Sequence, residues 1–147
     1  LVVVGARGWR CEELVARLQG AQADGENIAW LDRVTDPAEL RLLYAGAGVF
    51  AFPSLYEGFG IPVLEAFAAQ VPVVTSNASS LPEVSQGAAL EVDPLDTGEL
   101  AAALQTLSGD SRERARCIAA GRERAEQLTW HATARRTAEV YRAVLSQ

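Results

Sequence analysis

The chain has 147 residues, of which 49% are hydrophobic and 22% charged, with a formal net charge of −6. That composition fits one ordinary soluble domain with a sizeable core and excludes a disordered or low-complexity chain. The apolar runs fall far short of the roughly 20 residues a membrane-crossing helix needs, nothing at the start resembles a cleavable signal, and Cys11 and Cys117 lack the spacing of a zinc site or a disulfide framework.

Leu1-Val2-Val3-Val4-Gly5 is a β-branched run closed by glycine, which predicts a buried strand of a parallel sheet. Glu12 to Leu18 predicts a helix with Leu14, Val15 and Leu18 on one face, and Ile28 to Leu31 a second strand. Asp36-Pro37-Ala38-Glu39 is a helix start, with Asp as cap and Pro at the first helical position; Leu40, Leu43 and Tyr44 supply the apolar face. Val49 to Phe52 is the next buried strand, Pro53 to Gly60 a loop, Ile61 to Ala69 a helix and Val71 to Thr75 a strand. A loop of small polar residues, Ser76 to Ser80, leads to a short helix over Leu81 to Ser85 and a last strand over Ala89 to Val92.

Asp96-Thr97-Gly98-Glu99 and Asp110-Ser111-Arg112-Glu113 both have the cap-x-x-Glu spacing of helix starts, and Thr129 is placed to cap a final helix whose Ala134, Ala138, Tyr141 and Leu145 form one stripe. Residues 1 to 110 hold 15 acidic and 5 basic side chains, residues 111 to 147 hold 4 and 8. The tail arginines, interspersed with Glu, read as a solvated face, with a partner domain or an anionic membrane surface as the alternative. His131, Trp9, Trp30 and Trp130 read as capping, surface or packing groups. Strands alternating with helices predict an α/β class: a doubly wound, Rossmann-like sheet of about five parallel strands, with a helical tail from about residue 111 to 147. Such sheets bind ligands beyond the carboxyl ends of their strands.

The loop after Phe52 is the most informative of these. Gly58 and Gly60 flank Phe59 directly before a helix opened by Ile61-Pro62, so the backbone can approach an anion while the free N–H groups and positive dipole end of the helix face it. Glu57 and Glu65 would repel that anion unless they bind something neutral. Hydroxyl groups fit, and a nucleotide sugar supplies both hydroxyls and a diphosphate.

The stretch Pro53-Ser54-Leu55-Tyr56-Glu57-Gly58-Phe59-Gly60-Ile61-Pro62-Val63-Leu64-Glu65-Ala66-Phe67-Ala68 closely resembles the E-x7-E signature of glycosyltransferase family 4, of the GT-B fold. The resemblance continues through Val73-Val74-Thr75-Ser76-Asn77, Ser80-Leu81-Pro82-Glu83-Val84, Val92-Asp93-Pro94-Leu95-Asp96 and Thr129-Trp130 through Tyr141. It implies the donor-binding C-terminal domain of a retaining hexosyltransferase that needs no cofactor and no obligatory metal. Glu57, the residue it assigns to the catalytic centre, would contact hydroxyls of the transferred sugar and position the donor. Gly58, Phe59 and Gly60 would present amides to sugar and phosphates beside Ile61, Glu65 would bind the ribose, and backbone near Arg33 and Val34 would border the base. Asp32 departs from the glycine that members often have there.

The resemblance further implies that the chain starts at the domain's second strand. The first βα unit, with the family's Arg/Lys pair for the diphosphate, and the N-terminal domain that binds the acceptor would lie outside it. In a strand order of 3-2-1-4-5-6 the missing strand is central, so a fragment inactive alone, or of reduced stability, is expected. The expected location is the cytoplasm, free or peripheral to the inner face of the membrane, with no nucleic-acid partner. A non-catalytic nucleotide-sugar-binding or interaction module is the alternative function, and an epimerase of the same fold stands behind it. A nicotinamide-dependent dehydrogenase needs Gly-x-Gly-x-x-Gly after a strand, which Gly5-Ala6-Arg7-Gly8-Trp9-Arg10 does not supply.

Overall fold

The computed structural model describes residues 1–146, and the chain divides into two compact units, Leu1–Leu43 and Tyr44–Gln147. In the first, β1 (Val2–Val4) lies parallel to β2 (Ala29–Leu31), with Val2 opposite Ala29 and Val4 opposite Leu31, and α1 (Glu12–Ala23) connects them. The ladder is extended by Gly5 N–H donating to the Leu31 carbonyl at 3.0 Å. α1 runs beyond the predicted Leu18 because one interior glycine, Gly20, costs only about 1 kcal/mol and does not stop a helix.

β1 forms as predicted but is not buried: Val2 is 52% and Val4 45% exposed. A β-branched run dictates extended backbone, whereas burial needs covering layers; β1 has a strand on one side only, and Val15 is the single buried hydrophobic residue of this unit. Trp30 does pack, its indole N–H donating to the Gly5 carbonyl at 3.0 Å and its ring 5.5 Å beneath the Arg7 guanidinium. Trp9 and Trp130 do not, at 89% and 82% exposed.

α2 (Pro37–Gly46) begins as predicted, the Asp36 carboxylate accepting from Ala38 N–H at 2.8 Å, and its C-terminal turn belongs to the second unit. There follow β3 (Phe50–Phe52), α3 (Ile61–Ala68), β4 (Val73–Ser76), α4 (Leu81–Ser85), β5 (Leu90–Val92), α5 (Thr97–Gly109), α6 (Ser111–Gln127) and α7 (Trp130–Leu145). The strands form a parallel sheet in the order β3-β4-β5, so the five strands among the described residues make two sheets, not one.

β4 is central and buried along its whole length. Successive strand residues point to opposite faces, and Val73 and Val74 accordingly enter different cores. Val73 packs with Val63, Ala66 and Phe67 of α3 and with Leu81 and Val84 of α4. Val74 packs with Val92, with Ala103 and Leu107 of α5 and with Cys117 of α6. Helices on both faces make this unit doubly wound, as predicted.

The three C-terminal helices have the predicted caps. Asp96 accepts from Gly98 and Glu99 N–H, Asp110 from Arg112 and Glu113 N–H, and Thr129 from Ala132 N–H. The reciprocal half of each capping box is absent: Glu99 accepts from Asp93 N–H at 2.6 Å, and Glu113 pairs with Arg116 at 2.7 Å. The α7 stripe is unburied, with Tyr141 66% and Leu145 87% exposed. Three of the tail arginines also make contacts to backbone carbonyls besides facing solvent. Arg114 donates to the Gly48 carbonyl, Arg116 to that of Gly87 at 2.9 Å, and Arg124 to those of Val84 at 2.8 Å and Glu83 at 2.7 Å. These tie α6 to α4 and to the segments just before β3 and just after α4. Among the described residues no helix is long and apolar enough to cross a membrane.

Candidate functional site

β3 delivers the chain into the loop Pro53–Gly60, beyond the carboxyl edge of its sheet, and the end of the neighbouring β4 holds that loop. Thr75 Oγ1 donates to the Phe52 carbonyl at 3.2 Å and Ser76 Oγ to the Ser54 carbonyl at 2.6 Å. One turn further on, Ser79 Oγ accepts from Glu57 N–H at 2.9 Å, and Ser80 Oγ lies 3.0 Å from the Glu57 carbonyl and 2.9 Å from that of Phe59. The loop after β4 therefore clamps the backbone of the glycine turn. Ser79 has φ +52°, a left-handed conformation that brings the two hydroxyls to one place.

Gly60 closes the turn at φ +106° and is buried, and Val63 N–H donates to its carbonyl at 3.0 Å to start α3. Pro62 lies in the first turn, where a missing N–H costs nothing. Among the described residues no side chain caps α3. The amides of Gly58, Phe59, Gly60 and Ile61 have no protein acceptor among the described residues, so the positive end of α3 carries unsatisfied donors. Gly58 is exposed, Phe59 48% and Ile61 47% exposed.

The two carboxylates stand at either end of this turn. Glu57 is half-buried with its backbone clamped by the two serines; Glu65 is exposed on α3 one turn past the amides. Neither is ion-paired among the described residues. Glu65 Oε2 accepts from the Tyr44 hydroxyl at 2.9 Å. Burial, then the hydrogen bond and the charge of Glu65, push the Tyr44 phenol well above the ordinary tyrosine range, so it stays a donor. The predicted residues Glu57, Gly58, Phe59, Gly60, Ile61 and Glu65 thus share one turn and one helix start. Arg33 and Val34 follow β2 in the first unit, Arg33 exposed and Val34 half-buried.

Three residues at this turn were not singled out from the sequence. Ser79 and Ser80 read as part of a loop of small polar residues, Ser80 also opening one of the stretches that carry the resemblance, with no contact to Glu57 assigned to either. Tyr44 read as a member of an apolar face; its signal was the hydroxyl, which a half-buried tyrosine must satisfy.

Residues 1–110 match the family described as Glycosyl transferases group 1. The chain belongs to that family. As a group 1 domain it is 42% identical over 144 residues, 97% of its length, to the O-antigen chain mannosyltransferase B of Escherichia coli, of which it spans 37%. Sucrose-phosphate synthase of Thermosynechococcus elongatus superposes on 99% of it with a TM-score of 0.80 at 28% identity, the match covering 38% of that chain. An Anabaena protein, HepE, crystallised in complex with UDP, shares the fold over 97% of the group 1 domain and 40% of its own chain, with a TM-score of 0.81 at 22% identity. The GT-B type of Rossmann-like architecture with its helical tail is therefore the fold of this chain, and its relatives are glycosyltransferases.

Proposed function

We propose that this chain is the donor-binding half of a retaining, metal-independent glycosyltransferase that moves a hexose from a nucleoside-diphosphate sugar. The observation that carries the reading is the glycine turn: the amides of Gly58, Phe59, Gly60 and Ile61, without a protein acceptor among the described residues, at the positive end of α3, with one carboxylate on each side in sequence. Amides and dipole suit a diphosphate, whose negative charge grows as the sugar departs; fixed donors in place before the reaction stabilise that charge without reorganisation. Glu57, tethered at both its N–H and its carbonyl, would grip hydroxyls of the hexose, and Glu65 the ribose.

The E. coli relative is named a mannosyltransferase and the Anabaena protein was crystallised with UDP, which supports a nucleotide-linked hexose as the ligand class. Since the chain spans 37% of that mannosyltransferase, the acceptor would be bound by another part of the intact protein. The test is Glu57→Ala and Glu65→Ala in the intact protein, assayed with labelled GDP-mannose and UDP-glucose. A loss of donor turnover of about a hundredfold or more for Glu57→Ala is expected, and near-normal turnover by both variants would overturn the reading.

A further inference from the structure

Glu65 sits on an exposed helix face, where a glutamate side chain ordinarily samples many rotamers and must give up that freedom to bind a ligand. Here one of its two oxygens is already held. Tyr44 reaches from the last turn of α2 to donate to Oε2 at 2.9 Å, across 21 residues of sequence, while Oε1 has no partner among the described residues. Tyr44 is itself fixed: its ring meets Phe50 edge-on at 5.3 Å, and Phe50 stacks on Phe52 at 5.9 Å along β3. The strand that delivers the glycine turn therefore also anchors the group that aims Glu65.

We infer that Tyr44 is a positioning residue for donor recognition, holding the Glu65 carboxylate so that Oε1 is presented to a vicinal diol of the nucleotide's ribose. The inference rests on the reading of Glu65 given above. A charge-assisted hydrogen bond is stronger than a neutral one, and the phenol, kept protonated by burial and by Glu65, does not compete for hydroxyl donors of the ligand. Tyr44 touches no ligand in this scheme; it acts through Glu65.

The experiment is calorimetry on the intact protein with UDP and GDP, each against its 2′,3′-dideoxy counterpart, for wild type, Glu65→Ala and Tyr44→Phe. The readout is the ratio of affinities for the hydroxylated and dideoxy nucleotide within one variant, in which any change in folded fraction cancels. Wild type is expected to prefer the hydroxylated nucleotide and Glu65→Ala to show no preference. Tyr44→Phe keeps the ring on Phe50 and should lower the preference by about tenfold while leaving dideoxy affinity unchanged. A wild-type ratio in Tyr44→Phe, or an equal loss for both nucleotides, would overturn the role of Tyr44 while leaving that of Glu65 intact. Absence of binding or of preference in wild type, or a preference retained by Glu65→Ala, would instead overturn the reading of Glu65 itself.

Discussion

Gly60 faces Leu81 so closely that a Cβ on it would stand 2.6 Å from Leu81 Cδ2, and its φ of +106° is one that side-chain-bearing residues rarely adopt. The start of α3 and the start of α4 thus meet at a hydrogen atom. Gly60→Ala would pay twice, about 1–3 kcal/mol for backbone strain and a similar amount for overpacking. The expected result is a lower denaturant midpoint together with loss of nucleotide binding. Gly58 is the contrast: a Cβ there meets nothing within 4 Å. Gly58→Ala should leave stability within about 0.5 kcal/mol and raise the donor KM, because the methyl group enters the space an anion needs. Unchanged KM in Gly58→Ala would argue against anion approach at this turn.

Gly121 makes the equivalent contact in the core. A Cβ there would lie 2.5 Å from Phe67 Cδ1 and 3.0 Å from Cγ, and Phe67 is 1% exposed. Two effects oppose each other in Gly121→Ala. Helix propensity favours alanine in the middle of α6 by about 1 kcal/mol, whereas forcing a buried ring aside costs about 1–3 kcal/mol. Phe67 is packed in one core cluster with Val73 of β4 and Leu81 and Val84 of α4, so overpacking should win. Urea unfolding should show a net destabilisation of about 1–2 kcal/mol, and a stabilised variant would mean that α6 can slide.

Both contacts show where sequence reading reaches its limit. Pro62 and Gly58, Phe59 and Gly60 announce a glycine turn opening a helix because the conformational restriction lies in those residues themselves, and Asp36, Asp96, Asp110 and Thr129 announce caps for the same reason. What was not legible depends on residues far apart in the chain. Tyr44 finds Glu65 across 21 residues, Ser80 finds Glu57 across 23, and Arg114 finds Gly48 across 66. Periodicity gives an arginine in α6 a helical position; it does not say which carbonyl lies beside it. The exposure of Val2 and Val4 is of the same kind, since a valine run fixes strand geometry and leaves its cover to the rest of the fold.

Glu113 and Arg116 give the fold a defined acid response. The hydrogen bond from Arg116 holds the Glu113 carboxyl below the usual carboxylate range, and Arg116 also donates to the Gly87 carbonyl at 2.9 Å. A folded pKa below the unfolded one means that the contribution to stability is present above the unfolded value, about 4.3, and is lost as pH falls through the folded value. Glu113→Gln should therefore have a lower denaturant midpoint than wild type at pH 7. The two midpoints should converge as the pH is stepped down below about 4. A gap that persists in acid would assign the effect to packing instead of charge.

Ser80 tests whether the clamp on the glycine turn serves binding or only folding. Its hydroxyl lies within 3.0 Å of two carbonyls, those of Glu57 and Phe59, on either side of Gly58, whose amide has no acceptor among the described residues. Ser80→Ala removes one hydrogen bond worth about 1 kcal/mol and frees the loop to tilt its amides, while Ser79, Thr75 and Ser76 still hold the other points. Global stability should therefore fall by no more than about 1 kcal/mol. If the amides must be in place before the diphosphate charge develops, kcat should fall more than KM rises, by about tenfold, because misplaced donors cost most when that charge is largest. Steady-state kinetics of the intact protein with a sugar nucleotide distinguish the cases. A rise in KM at constant kcat would mean that the clamp shapes ground-state binding alone.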